Sequence, residues 1–518
     1  MIYDLYDHDY SGTMIALSHS GKILASAGFD SKIKLYRAAN GKHIADIYLP
    51  MEREAIIIND SGYYLAQKSS LDALLFNYNN NAYTYEQFDA QFNRPHTILA
   101  QLNFADTATI KLYKAAYQKR LSRLGIKEQS AAAALEIPML QILNKSSIQT
   151  ISSNPSFTLK VQCSDKRYPI QYVQVLVNNS PLWPGRGFAF SELQLVQQKT
   201  INIPLSYGNN TIKVFCINSK GARSLSEQIQ VMAKYETAPS KTYFIGIAVD
   251  QYKDSSMNLR YAAKDVRDLA QTFSNLYSNI QIDTLINQLA TRENIIALHQ
   301  KLKNTSVNDR VILAVTGHGL LSKTFDFYYA TWDNEFSQPE KRGIPYNELE
   351  ALLNGIPARE KLMLIDACHS GALDKEALLS QKISIETDSS SKINGVLPRG
   401  VIKLGGNKDV AAANTYDMMQ KLFTDVSGNN GAFIISAAGG MEYALESARW
   451  NNGVFTYCVR KGVEEKAADK EAAGNFDGKV SVQELQQYVS KKVAELTGGK
   501  QQPTNRRENL DFEWYLRR

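Results

Sequence analysis

From its N-terminus the chain alternates short apolar runs with turn residues. In MIALSHSGKILASAGFDSKIKLYRAANGKHIADIYL the breaks fall at Ser20-Gly21, Gly28-Phe29-Asp30 and Asn40-Gly41, and each run between them has strand length. Residues 1–105 are therefore expected to be β-structure. The pattern then changes. Over 106–136, Tyr113, Tyr117, Leu121 and Leu124 recur on one helical face, with Lys111, Lys114, Lys119, Arg120 and Arg123 around it. This predicts a helical linker, a solvated connector completed by the alanine run 131–134. Strands return over 137–236 as FTLKVQC, YVQVLV, INIPLSY, TIKVFCIN and EQIQVMA, the rhythm of a β-sandwich of immunoglobulin or fibronectin type III character. From 240 to 518 strands and helices alternate. TYFIGIAV is a continuous apolar run, as a strand covered on both faces requires. Helices near 261–277 and 291–303 then separate it from IQIDTLI, RVILAVT and KLMLIDA. The predicted fold is multidomain: a C-terminal α/β part with a mostly parallel sheet flanked by helices, preceded by all-β segments.

Composition narrows the function classes. Apolar residues make up 44% and charged residues 21% of the 518, which fits a globular protein of three or four domains. A net charge of +6 is too small over this length to argue for nucleic acid, and the basic helix over 111–127 adds only weak charge support for a nucleic-acid or membrane surface. No apolar run approaches the ~18 residues of a membrane span. The start, MIYDLYDHDY, lacks a signal-peptide pattern, so a cytoplasmic location is expected. Four cysteines do not make a disulfide scaffold. Cys163 and Cys216 have the spacing of an inter-sheet disulfide, with Trp183 between them, but without an export signal two buried free thiols are expected.

Chemistry is sought at the carboxyl ends of the parallel strands, where sites in such sheets gather. After Thr316 comes Gly317-His318-Gly319; after Ala367 comes Cys368-His369-Ser370-Gly371. A thiol and an imidazole at two strand ends of one sheet suit nucleophilic catalysis. A thiol with a pKa near ~8.5 is only partly ionised at neutral pH, and a nearby His promotes the thiolate and then protonates a leaving amine. The amides of Gly319 and Cys368 are candidate oxyanion donors. His369 adjoins the thiol, but neighbours on an extended segment face opposite ways. His318 is thus the expected base.

Two stretches resemble known families. Ser-x-x-Gly-Lys-x-Leu-Ala-Ser-Ala-Gly-x-Asp at 18–30, followed by Ile33-Lys34-Leu35-Tyr36, resembles one blade of a WD-repeat propeller, with a weaker second blade around 56–78. One or two blades do not close a ring. Thr316-Gly317-His318-Gly319 and Asp366-Ala367-Cys368-His369-Ser370-Gly371 resemble the motifs of caspase-like cysteine peptidases, closest to metacaspases and bacterial caspase homologues. The resemblance implies a caspase–hemoglobinase fold with Cys368 as nucleophile and His318 as general base. It also implies that Asp366 lines the pocket for the residue preceding the scissile bond, favouring Arg or Lys. Leu259 stands where caspases carry an Arg that holds a substrate aspartate. Asp265 is a second candidate pocket acid, or an acid favoured by the helix dipole; Glu442 and Glu446 follow in the later segment.

Further implications concern regulation and partners. The segment 374–430, where caspase-like enzymes often cut themselves, offers Lys392, Arg399 and Lys403. No cofactor is expected, and a calcium requirement stays open. Asn475-x-Asp477-Gly478 with Glu484 fits part of an EF-hand loop, but Ala473 occupies its first ligand position, and Ser481-x-x-Glu484 reads better as a capping box. Expected partners are proteins or peptides with basic residues, and a protein partner for the N-terminal β-segments. The competing expectation is a catalytically silent caspase-like scaffold or sensor.

Overall fold

The structure, a computed structural model, describes residues 8, 14–50, 54–78, 80–128, 136–322, 326–367, 396–399, 430–438, 444–471, 474–506 and 514–517. At the N-terminus, Met14–Leu17, Ile23–Ala27, Lys32–Arg37, His43–Tyr48, Ile56–Asn59 and Tyr64–Leu65 form a six-stranded antiparallel meander in chain order. The strands from residue 56 extend this sheet, with Tyr48 opposite Ile56, and do not open a second blade. His8 lies against the sheet, with Nε2 2.8 Å from Ser26 Oγ and Nδ1 3.1 Å from the Asp30 carboxylate. This row of hydrogen bonds fixes the Gly28-Phe29-Asp30 turn, and only glycine fits at 28, where a Cβ would come 2.7 Å from His8 Nδ1.

Two expectations for this region are corrected. Residues 1–105 are not all β: Pro95–Leu102 is a helix with proline at its start, and it lays Ile98 and Leu102 on the sheet's core of Leu35, Ile44 and Ala45. The second helix, Thr107–Arg123, is capped by Asp106 and is no solvated connector. Tyr113, Tyr117, Leu121 and Leu124 are buried, as their spacing demands, and Arg120 pairs with the buried Asp89. The alanine run 131–134 lies outside the described residues.

Residues 139–233 form two facing sheets. One contains Met139–Ile142, Ser156–Ser164 and Val196–Pro204. The other contains Ile151–Ser152, Glu227–Ala233, Gly208–Asn218, Ile170–Val177 and Ser180–Pro181, with Phe188–Gln194 paired to Ile170–Val177. Leu159, Val161 and Cys163 point inward from one sheet and meet Val214 and Cys216 from the other. Cys163 and Cys216 are free, buried thiols. The neighbouring Cys216 thiol and burial push the Cys163 thiol well above its ordinary range.

The C-terminal unit is a six-stranded sheet of β1 (Thr242–Ala248), β2 (Ile280–Ile286), β3 (Arg310–Gly317), β4 (Glu360–Ala367), β5 (Phe433–Ser436) and β6 (Thr504–Arg506). Its order is β2-β1-β3-β4-β5-β6, all parallel except β6. Helices α1 (Ala262–Leu276), α3 (Val454–Glu464) and α4 (Val482–Thr497) belong to the core on one face, with Phe244, Ile312, Leu362 and Leu364. Helix α2 (Arg292–Leu302) covers the other, with Ile245, Leu313, Met363 and Ile365. The expected strands and helices of this part are present within a residue or two. No described helix is long and apolar enough to cross a membrane.

The sandwich meets this sheet at the start of β4. Arg359 donates to Ser206 Oγ (2.8 Å), Asn210 Oδ1 (3.1 Å) and the Pro204 carbonyl. Two residues on, Lys361 is buried, its Nζ donating to the carbonyls of Asn430 (2.6 Å) and Leu353 (3.4 Å). Burial, then the nearby Arg359 charge, push Lys361 from 10.5 down to about 7. Between these values the unfolded chain binds more protons than the folded one, so stability should rise as pH rises through that window. Lys361→Met should remove this rise. Unfolding midpoints at pH 7 and about pH 9 check it, with a wild-type gain on the order of 2 kcal/mol.

Candidate active site

The site is built at the carboxyl edge of β3 and β4. Thr316 stands opposite Asp366 and Gly317 opposite Ala367, so His318 follows one of two neighbouring strands and the other ends at Ala367, the residue before Cys368 in sequence. Cys368 itself lies outside the described residues, as do Lys392, Lys403 and Glu442, while Arg399 ends a short strand, Val396–Arg399, paired with Ala444–Ser447. Gly317 turns the chain at φ +149°, and a Cβ there would come 3.0 Å from Tyr252 Oη and 3.1 Å from the Tyr329 ring. Glycine is thus required where the strand ends.

That turn sends His318 away from the α1 side, where Thr316 bonds the Ala262 carbonyl, and packs it between Tyr252 and Phe336. His318 is 2% exposed. Its backbone N–H donates to Tyr252 Oη (2.8 Å), and Nε2 lies 2.7 Å from the Met257 carbonyl oxygen. A carbonyl only accepts, so Nε2 carries the proton, and the lone pair of the neutral ring is on Nδ1. Tyr252, Met257 and Phe336 escaped the sequence analysis. Met257 acts through its backbone carbonyl, which leaves no mark in residue type.

Gly319 opens the short strand Gly319–Leu321, opposite Tyr329 in Phe327–Tyr329. The Ala330 N–H bonds the His318 carbonyl (2.9 Å), so by the alternation of an antiparallel ladder the Gly319 N–H faces away from that partner strand.

Three buried carboxylates collect where α1 and α3 begin. Asp366, 1% exposed, accepts from Thr456 Oγ1 of α3 (3.1 Å). Asp265, in the first turn of α1, accepts from Asn452 Nδ2 (2.8 Å) and the Gly453 N–H (3.1 Å), just before α3. Glu446 accepts from the Arg260 N–H (3.0 Å). The first turn of α3 therefore links Asp265 to Asp366 within one corner.

Residues 245–515 match the family model described as Caspase domain, Peptidase_C14, more than half of the chain. The chain belongs to the caspase-domain family. No curated protein matches it. In this caspase domain β3 and β4 are the strands that carry the His and Cys motifs, and the WD-like sheet and sandwich precede the match.

The loop ahead of α4 does not fit an ion in the caspase domain. Glu484, whose two oxygens would be given to calcium, instead accepts the Asn475 N–H (3.1 Å) and the Ser481 N–H (2.8 Å). Ser481 Oγ accepts in return from the Glu484 N–H (3.1 Å), a complete capping box. Lys466 places its ammonium on the Gly478 carbonyl. Among the described residues, no group of three or more His, Cys, Asp or Glu is disposed to hold a metal.

Proposed function

We propose that this protein is a cysteine endopeptidase that cuts peptide bonds after Arg or Lys, using a Cys368–His318 dyad. The observation that carries the reading is the hydrogen bond from His318 Nε2 to the Met257 carbonyl, which leaves Nδ1 as the ring nitrogen for proton transfer, at the end of the strand next to the one that ends just before Cys368. His318 takes the thiol proton, and the Cys368 thiolate attacks the scissile carbonyl carbon. The Gly319 and Cys368 amides receive the developing oxyanion. The imidazolium then protonates the leaving amine, and water releases the acyl group from sulfur.

Specificity comes from Asp366, with Asp265 and Glu446 adding negative potential to the same corner. A buried carboxylate pairs with a guanidinium or ammonium and disfavours an acidic side chain, whose charge would be desolvated beside its own sign. Leu259 offers no cation to such a side chain. Substrates are proteins or peptides with exposed basic residues, and the N-terminal sheet and sandwich are surfaces for protein partners.

A peptidyl-arginine ketone carrying a leaving group tests this reading covalently. Mass mapping should find the adduct on Cys368, with an aspartyl analogue reacting far more slowly. Cys163, Cys216 and Cys458 are buried, and burial pushes Cys458 up to about 12, so these thiols should stay unlabelled. An adduct on any of them in place of Cys368 would refute the dyad.

A further inference from the structure

The three central strands β3, β4 and β5 all start on the β-sandwich. Just before β3, the Val307 carbonyl accepts from Ser206 Oγ (3.0 Å) and Asn308 Oδ1 from the Tyr207 N–H (2.8 Å), while Asn308 Nδ2 donates to Tyr235 Oη (3.0 Å). At the start of β4, the Arg359 guanidinium spans Ser206, Asn210 and the Pro204 carbonyl. Ahead of β5, Gly431 turns at φ +74° so close to the sandwich that a Cβ would come 2.5 Å from Ser180 Oγ. At their other ends β3 and β4 carry the candidate site, β4 after eight residues, or about 25 Å.

Arg359 is 4% exposed, and among the described residues it donates to neutral oxygens only. Burying a guanidinium without a carboxylate is costly unless its planar fork of N–H groups meets fixed acceptors. The acceptors here are fixed: Asn210 is held by its own Nδ2, which donates to the Ser206 and Gly208 carbonyls (2.7 and 3.0 Å). Lys361, two residues along β4, gives its Nζ to the carbonyls of Leu353 and Asn430. Both lie beside contacts with the sandwich. Asn430 precedes Gly431, and Leu353 is two residues before Gly355, where a Cβ would come 3.2 Å from Pro184. β4 therefore grips the sandwich through Arg359 and, through Lys361, the two loops that rest on it. Alternation along the strand puts Met363, Ile365 and Ala367 on the face of Arg359 and Lys361, in the core shared with α2. A packed row thus joins the interface to the end of β4, where Asp366 stands on the opposite face.

We propose that the sandwich is the base on which the peptidase is built: it fixes β3, β4 and β5 from their starts, and Arg359 is the positioning residue that carries this support to His318 and Asp366. The working catalytic unit then includes the sandwich, which lies ahead of the family match at 245–515. The kinetic half of this proposal rests on the peptidase reading above; the structural half does not.

The test uses the full chain as wild type, Arg359→Met, Arg359→Lys and Ser206→Ala. Hydrogen exchange read by mass spectrometry, at increasing denaturant, follows Gly208–Asn218 of the sandwich and Glu360–Ala367 of β4 separately. Hydrolysis of an Arg peptide is measured where each variant is folded. In wild type the two strands should open together. Arg359→Met should uncouple them, with β4 opening at lower denaturant than the sandwich, and should lower kcat/KM by about 10–10²-fold, as a small misplacement of reacting groups does. Arg359→Lys should restore neither, because one ammonium does not span three separated acceptors. Ser206→Ala changes no atom of the caspase domain, yet removes one acceptor of Arg359 and the bond to Val307. It should lower kcat/KM by a smaller factor, and it decides the matter if Arg359→Met does not fold. Separate opening in the wild type overturns the proposal. Joint opening with kcat/KM unchanged in the folded variants overturns the positioning role. A wild type that opens as one unit but hydrolyses no peptide overturns the peptidase reading and leaves the shared base standing.

Discussion

Cys368→Ala should abolish peptide hydrolysis, and His318→Ala should lower kcat by about 10²–10⁴-fold. Without the thiol there is no atom to carry the acyl group, so the first loss is limited only by assay background. Without the imidazole the thiol still ionises in part, which is why some rate survives. The two groups act as a unit, so the double variant should be no slower than Cys368→Ala alone. KM should move little in His318→Ala, because the role proposed for the ring is at the reacting atoms and not at the body of the substrate. The variant also leaves the Met257 carbonyl without its donor, so unfolding midpoints must accompany the kinetics. Activity that survives His318→Ala and disappears in His369→Ala would move the base to the neighbouring residue.

Asp366→Asn should lower kcat/KM for Arg and Lys peptides by roughly 10²–10³-fold, the size expected when one partner of a desolvated charge pair is removed. The amide keeps the shape and can still accept from Thr456, so the change isolates charge from packing. Asp265→Asn should behave differently. Its carboxylate holds Asn452 and the Gly453 N–H at the start of α3, so its neutralisation should cost stability first and specificity second. Equal losses on basic and uncharged peptides in Asp366→Asn would show that Asp366 supports the fold without reading the substrate.

Much of this was legible in the residues, for identifiable reasons. The strands of the caspase domain are continuous apolar runs covered on both faces, a signal that survives without any tertiary information. The His motif carries glycine because the chain must turn sharply at a strand end, as Gly317 does at φ +149°. The face of Tyr113, Tyr117, Leu121 and Leu124 was equally plain, but periodicity says which side of a helix is apolar and not what covers it. Its burial with Pro95–Leu102 was therefore missed. Strand runs likewise do not say where a sheet ends, so the strands from residue 56 read as a second blade although they continue the first sheet. Least legible were contacts through the backbone: the Met257 carbonyl that sets the His318 tautomer, and the pairing of Val396–Arg399 with Ala444–Ser447.

The most direct measurement is kcat/KM of the wild-type enzyme on matched peptides that differ only in ending with Arg, Lys or Asp, with Cys368→Ala as the blank. A buried acidic corner predicts ready hydrolysis of the Arg and Lys peptides, at least ~10²-fold slower hydrolysis of the Asp peptide, and none by the variant. Preference for Asp, or equal rates with wild type and Cys368→Ala, would contradict the account.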